Sequence, residues 1–243
     1  MLLLNMINKH TNFKISLALK KIVILTGAGM SAESGLKTFR DANGLWEGHD
    51  IMDVATLEAF KRNPNLVLDF YNQRRRQLLE VEPNKGHKNL KELEKHFEIQ
   101  IITQNVDDLH ERAGSSEVLH LHGELRKVRS TIDKHYILDW SKDLNLGDVD
   151  KNGNQLRPHI VWFGEQVPEL ENAIAITKQA DVFVIIGTSL QVYPAAGLVN
   201  YISNDTPIYV IDPSPAISKK NNIIFIKNGA QEGTARLIKM LID

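Results

Sequence analysis

The sequence predicts a doubly wound α/β sheet carrying a second, smaller domain. Three observations predict it. Short β-branched runs are apolar on both faces, helical stretches alternate with them, and two stretches break that alternation. With 243 residues and 42% hydrophobic content, such a chain buries roughly 70–75% of its unfolded surface without covalent staples.

Residues 21–25 (KIVIL), 99–103 (IQIIT), 181–186 (DVFVII) and 206–211 (TPIYVI) read as parallel strands covered on both sides, with a shorter fifth at 223–226. Helical patterns occupy 86–96, 170–179, 195–203 and 232–242. Residues 48–83 look helical throughout, with Pro64 near the start of a helix over 65–79. Residues 123–157 are polar, irregular and rich in Asn, Asp and Gly. The two interruptions, 48–83 and 123–157, are assigned together to the small domain. The large domain then takes 14–47, 84–122 and 158–243.

Composition excludes several classes. There is no cysteine, hence no disulfide framework, no Cys-ligated zinc, no iron–sulfur cluster and no thiol nucleophile. The 29 Lys+Arg against 30 Asp+Glu argue against a polybasic surface for nucleic acid or membrane. Met1-Leu2-Leu3-Leu4 is interrupted by Asn5, Asn8, Lys9 and His10, with no basic start and no small-residue cleavage site. No stretch approaches the roughly 20 apolar residues of a membrane helix. The expectation is a soluble, cytoplasmic monomer whose first dozen residues form a loose extension.

The first strand ends in Thr26-Gly27-Ala28-Gly29-Met30-Ser31, followed by Gly35. A Gly-rich turn from strand to helix brings backbone N–H groups against an anion such as a pyrophosphate. It is equally a tight structural turn, and the six-residue step from Gly29 to Gly35 departs from the dinucleotide fingerprint. Thr38-Phe39-Arg40 through Trp46 combines polar residues with two aromatics, as a loop covered by a ligand does; Arg40 suits phosphate. After the second predicted strand come Gln104, Asn105, Val106 and Asp107, where open sheets bind ligands. A helix cap accounts for one of these polar side chains, not three. Leu119-His120-Leu121-His122-Gly123 alternates, placing both histidines on one side of a strand. They read as a metal pair or, better, His122 as a general base beside a Gly that admits substrate; a structural histidine is the plain alternative.

Taken together, Gly27-Ala28-Gly29-Met30-Ser31, Thr38-Phe39-Arg40, Thr103-Gln104-Asn105-Val106-Asp107, His122-Gly123, Val161-Trp162-Phe163-Gly164-Glu165 and Gly187-Thr188-Ser189-Leu190-Gln191-Val192-Tyr193-Pro194 resemble the sirtuin family of NAD-dependent protein deacylases, from about Lys21 to the C-terminus. The resemblance implies a Rossmann-like large domain and a small domain made of a helical module and a normally zinc-binding module. NAD and an acyl-lysine peptide would meet in the cleft between them. The acyl oxygen attacks the nicotinamide ribose, nicotinamide leaves, and an alkylamidate forms; the products are free lysine and O-acyl-ADP-ribose. It implies His122 as base on a ribose hydroxyl, and Asn105 and Asp107 as holders of ribose and nicotinamide. Phe39 would shield the ribose. Gly27, Ala28, Gly29, Ser31, Thr38, Arg40, Trp46, Gln104 and Val106 would also serve NAD. Gly187, Thr188, Ser189, Asp212 and Ala230 would line its adenosine half. Peptide would add as a strand between Val161, Phe163 and Gly164 on one side and Val192 and Tyr193 on the other.

Within 48–83, Tyr71 and Arg74 are three apart and share a helix face. The pair resembles the class that removes malonyl and succinyl groups, with Arg74 and Tyr71 on the acyl carboxylate and Ala55 leaving room for the longer chain. Arg75 and Arg76 read as a solvated face. The interval 124–160 departs from the family in having no cysteine; Ser130 stands near the first expected one. His135, Asp139, Asp148 and Asp150 form no tetrahedral spacing, so no zinc is expected. Tyr136, Ile137, Leu138, Trp140, Leu144 and Leu146 are the candidates to pack the module instead. Asp212 stands where the family often has Asn. An ionised Asp accepts ribose hydroxyls but cannot donate to them. An NAD glycohydrolase or mono-ADP-ribosyltransferase of related fold is the alternative activity; a non-catalytic NAD-binding regulator and a hydride-transferring dehydrogenase fit less well.

Overall fold

The computed structural model describes residues 19–37, 48–216 and 221–242. In chain order the strands are β1 (Lys21–Thr26), β2 (Glu98–Thr103), β3 (Val118–His120), β4 (Gly123–Ser130), β5 (Ile137–Asp139), β6 (Leu156–Ile160), β7 (Val182–Ile186), β8 (Ile208–Ile211) and β9 (Ile223–Ile226). The helices are α1 (Gly29–Ala32), α2 (Ile51–Val54), α3 (Leu57–Arg62), α4 (Pro64–Glu80), α5 (Lys85–Leu93), α6 (Leu109–Arg112), α7 (Leu170–Thr177) and α8 (Ala230–Ile242), with a 3-10 helix at Ala195–Tyr201.

Six strands form one parallel sheet in the order β3-β2-β1-β7-β8-β9. Counted along the chain this is 3-2-1-4-5-6, the order of doubly wound nucleotide-binding sheets. The strands lack polar alternation because both faces are covered. Ile22, Ile24, Ile101 and Val184 pack with Leu90 and Leu93 of α5 and Leu237 of α8. Val23, Leu25, Ile102 and Phe183 pack with Ala173 of α7 and with Ala195 and Leu198 of the 3-10 helix. Each such Val, Leu, Ile or Phe side chain contributes about 1.5–3 kcal/mol on burial.

The stretch expected to be irregular, 123–157, instead holds two strands and the start of a third: an antiparallel sheet of order β5-β4-β6. Two features hid it. A register shift between Gly123 and Val128 breaks the period-two pattern. The other face of β4 carries Glu124, Arg126, Lys127 and Arg129, so only Leu125 and Val128 of its apolar residues point into the core. That core is shared with α2, α3 and α4 through Val54, Phe60, Val67 and Leu78.

α4 begins at Pro64 because Asn63 caps it, accepting from Leu66 N at 3.2 Å. Arg75, read from the sequence as solvated, is only 1% exposed. It donates from Nε to Leu125 O (3.0 Å) and from Nη1 to Asn72 Oδ1 (2.8 Å), tying α4 to β4. Burial lowers its pKa to about 10. Arg76 does stand on the outside, paired with Asp143 at 2.6 Å. Of the expected packing residues, Leu144 is fully buried, and Tyr136 and Trp140 lie against the core. Ile137 and Leu138, on the three-residue edge strand β5, are exposed, as is Leu146 in the loop beyond it. Ser130 is the centre of a polar knot: its hydroxyl donates to Asp150 Oδ2 at 2.7 Å and accepts from the Ile132 and Asp133 amides. Asp150 also accepts from the Asn152 and Asn154 backbones.

Candidate active site

β1 and β7 are neighbours whose onward connections leave in opposite directions, which opens a crevice at their carboxyl ends. The loops that follow them touch. Gly27 N donates to Ile186 O (3.0 Å) and Gly29 N to Gly187 O (2.9 Å). A Cβ on Gly29 would lie 2.6 Å from Gly187 Cα, and Gly187 has φ +60°. These glycines are therefore required first by loop-to-loop packing. α1 is a single turn, and Gly35, at φ +98°, belongs to its exit.

The end of β2 delivers a connected polar cluster. Asn105 Nδ2 donates to Gly27 O and to Ser31 Oγ, both at 3.1 Å. Ser31 Oγ donates onward to Asp107 Oδ2 at 2.9 Å, and Leu109 N caps Oδ1 at 3.2 Å. Burial pushes the Asp107 carboxyl up to about 6, against the pull of those two donors. Gln104 Nε2 donates to Thr188 Oγ1 at 2.9 Å, bracing the β2 loop on the β7 loop.

The two histidines separate in role. His122 Nδ1 lies 3.0 Å from Gln104 O. A carbonyl only accepts, so Nδ1 carries the proton and Nε2 is left as a base. Burial lowers the His122 pKa, with the Gln104 carbonyl opposing it, so the ring is neutral at pH 7. His120 Nδ1 lies 3.1 Å from Asn105 O and its Nε2 lies 2.7 Å from Glu111 Oε1. With two acceptors it holds two protons. Burial works against that charge, but the Glu111 contact and charge, Glu124 and the Asn105 carbonyl together raise its pKa. Glu111 and the carbonyl of Asn105 thus occupy both His120 nitrogens, and the metal-pair reading of His120 and His122 falls. Among the described residues no group of three or more His, Asp or Glu could hold a metal ion.

One cavity of about 890 Å³ runs along this edge. It brings together every described residue that the resemblance assigns to NAD or to the acyl-lysine peptide. Gly27, Ala28, Gly29, Ser31, Gln104, Asn105, Val106, Asp107 and His122 line it, with Gly187, Thr188 and Ser189. Asp212, which accepts from Ser214 N at 2.7 Å, and Ala230, at the start of α8, line the same cavity. So do Ala55, Tyr71, Arg74, Val161, Phe163, Gly164, Val192 and Tyr193. Thr38, Phe39, Arg40, Trp46 and the N-terminal extension lie outside the described residues. On the rim, Phe163 N donates to Ala55 O at 2.9 Å and Tyr193 is 75% exposed. Arg74 Cζ sits 4.8 Å from the Phe70 ring centroid. Sequence reasoning passed over Trp162, whose indole touches Tyr71, and Glu33, whose carboxylate accepts from Gln231 N at the start of α8. Trp162 was legible as the large aromatic inside the Val161–Glu165 block; Glu33 had no signal beyond its place after the Gly-rich turn.

Fold and site define a doubly wound α/β protein whose cleft holds a neutral histidine together with an Asn–Ser–Asp cluster. The Sir2 family model matches residues 27–194, more than half of the chain, and the chain belongs to that family. An NAD-dependent protein deacylase of Helicobacter pylori (strain ATCC 700392 / 26695) is 60% identical over 226 residues, covering 93% of this chain and 99% of its own. One of Bacteroides thetaiotaomicron is 54% identical over 231 residues, covering 92% and 99%. A solved Sir2 homologue in complex with NAD has a TM-score of 0.83 at 38% identity, covering 92% of this chain and 90% of that one.

Proposed function

We propose that this chain is an NAD-dependent protein-lysine deacylase that transfers the acyl group to ADP-ribose with release of nicotinamide, and that it takes succinyl and malonyl groups as well as acetyl. One arrangement carries the assignment: the bare Nε2 of His122 and the Asn105–Ser31–Asp107 cluster share a cavity with Tyr71 and Arg74.

NAD, as co-substrate, supplies an anomeric carbon made electrophilic by departure of nicotinamide. The residues present suit it. Asn105 and Asp107 offer an amide and a carboxylate fixed by Ser31, so ribose and carboxamide are oriented without reorganisation at the moment of reaction. Asp212 accepts ribose hydroxyls. His122 Nε2 takes a proton from a ribose hydroxyl, and the Gln104 carbonyl on Nδ1 steadies the imidazolium that results. The peptide lies along Phe163-Gly164 and Val192-Tyr193, held mainly through its backbone. Arg74 takes the terminal carboxylate of an acidic acyl group, and Tyr71 adds a hydroxyl. We also propose that the small sheet folds without zinc, since the chain has no cysteine and Ser130 and Asp150 clasp the segment where the family places its metal.

The test is mass spectrometry of acetyl-, malonyl- and succinyl-lysine peptides with and without NAD. Wild type should remove all three groups only with NAD, and His122→Tyr none. NAD consumption without acyl loss would point instead to a glycohydrolase or ADP-ribosyltransferase. Arg74→Met should lower kcat/KM for succinyl-lysine roughly 10- to 100-fold, the worth of a charge-assisted pair, while acetyl-lysine changes by less than about threefold, a margin below one ordinary hydrogen bond. Equal loss on both substrates removes the acidic-acyl assignment.

A further inference from the structure

The wall of the cavity around Tyr71 is braced by residues of that wall, Trp162 and Glu165 among them. Trp162, 2% exposed, donates its indole N–H to Tyr71 Oη at 2.9 Å. Indole only donates, and a phenolic proton cannot point at a donor. The Tyr71 O–H is therefore restricted to directions away from Trp162. The indole is itself clamped. The Arg157 guanidinium stacks on it, Cζ 3.4 Å from the ring centroid. Arg157 Nη1 and Nη2 donate to Glu165 Oε1 and Oε2 at 2.8 and 2.9 Å, and Nη2 also donates to Ile160 O at 2.9 Å. Glu165 accepts from Trp162 N at 2.8 Å and from Arg129 Nη2 at 3.1 and 3.2 Å. Arg129 and Arg157 stand on β4 and β6, paired with each other in register. Burial opposes the charge on Glu165, yet the Arg157 contact and its neighbours hold that carboxyl below the usual range. The floor of the small sheet thus reaches the Tyr71 hydroxyl through three fixed groups.

We propose that Trp162 is a specificity-determining positioning residue: its indole N–H sets the direction of the Tyr71 hydroxyl toward the terminal carboxylate of an acidic acyl-lysine, and Arg157 with Glu165 holds the indole in place. This rests on the assignment of Tyr71 and Arg74 to that carboxylate. Trp162 acts through Tyr71, so its contribution exists only for substrates that use the phenol.

Trp162→Phe keeps an aromatic ring against Arg157 while deleting the donor, with some loss of buried ring volume. Steady-state kinetics at saturating NAD would compare succinyl- and acetyl-lysine peptides of one sequence in wild type, Trp162→Phe, Tyr71→Phe and the double variant. The expected result is a rise in KM for succinyl-lysine of roughly three- to tenfold, the value of one ordinary hydrogen bond, with kcat nearly constant. Acetyl-lysine should change by less than about twofold, within the scatter of a substitution that removes no substrate contact. In the Tyr71→Phe background Trp162→Phe should add nothing. Equal losses on both substrates, or additive losses in the double variant, overturn the proposal. Arg74→Met run alongside separates the two levels. If it lowers succinyl turnover and Trp162→Phe does not, only the positioning role fails; if it also spares succinyl, the carboxylate assignment fails and takes the proposal with it. Should Trp162→Phe melt below the assay temperature, Arg157→Lys reads the same coupling, because Lys stacks poorly on an indole. A succinyl-selective rise in KM then supports the proposal, and its absence overturns it.

Discussion

The two sheets meet at one cavity with opposite chemistry. The parallel sheet is apolar on both faces apart from Gln100 in β2, and its buried polar groups gather at the carboxyl ends of strands: Thr26 and Thr103, whose hydroxyls bond at 2.8 Å, then Asn105 and Asp107. The small sheet is built around buried charge, with Arg75, Arg157 and Asp150 all buried. Hydrophobic packing is non-directional and indifferent to protonation, so the parallel sheet offers a rigid edge on which loops must simply fit. The small sheet depends on individual hydrogen bonds, where one misplaced atom leaves a buried polar group unpaired. Sterics should therefore break the first region and polar deletions the second.

Gly187→Ala is the most severe test. Its Cβ would lie 2.5 Å from Gly29 C and Met30 N, backbone atoms that cannot yield, at φ +60°. NAD affinity measured by calorimetry should fall at least about a hundredfold, as expected when a built site is displaced by around an ångström. Gly147, beside the small sheet, has φ +93° and nothing within 4 Å of an added Cβ. Gly147→Ala should cost only about 1 kcal/mol of left-handed strain and leave NAD binding intact. Similar losses at both positions would erase the contrast.

Arg75→Met comes next. It strands Leu125 O in the core and takes one of two donors from Asn72 Oδ1, which keeps the Leu144 amide; this should cost about 2 kcal/mol in denaturant melts. Arg76→Met removes only a half-exposed pair with Asp143 and should cost no more than about 0.5 kcal/mol. If the two variants melt together, Arg75 is no strut.

The pair also marks what could be read beforehand. Strands of the parallel sheet were legible because burial on both faces leaves an uninterrupted apolar run, as in β1 and β7. Cavity residues at the strand ends were legible because the doubly wound order brings those ends to one crevice. Arg75 was not, since its partners on β4 and in the loop after β5 lie 50 and 67 residues away, and neighbouring arginines present the pattern of a wet helix face. The small sheet was hidden by its register shift and its charged outer face. Trp162 stood inside a recognised block, but its meaning depends on Tyr71, 91 residues distant.

His120 and His122 carry the contrast down to single rings. One is pinned between two acceptors and titrates above the ordinary imidazole value; the other, buried with one carbonyl, titrates below it. Nitrogen-15 spectra across pH 4–9 should show midpoints on opposite sides of about 6.5. Deacylation kcat/KM should fall as pH drops through about 6, where Asp107, whose carboxyl is raised to about 6, takes up a proton, and protonation of His122 adds to the loss. A single shared midpoint for the two histidines would show that the strand end does not discriminate between them.

The smallest effect concerns the Ser130–Asp150 knot, which the proposed function sets in place of a metal. Ser130, with Asn154 and Asn152 behind it, holds the Asp150 carboxyl well below the usual carboxylate range. A folded pKa below the unfolded one stabilises the fold above the unfolded value of about 4, and that stability is lost as pH falls beneath it. Asp150→Asn should therefore lower the melting temperature at pH 7, and the gap to wild type should narrow toward pH 3. Chelators should shift neither protein, and purified wild type should contain no stoichiometric zinc. A metal-dependent melting temperature would return this segment to the family's usual design. A gap that stays constant with pH would mean the side chain matters for its shape alone, and that the small sheet, like the large one, is held by packing.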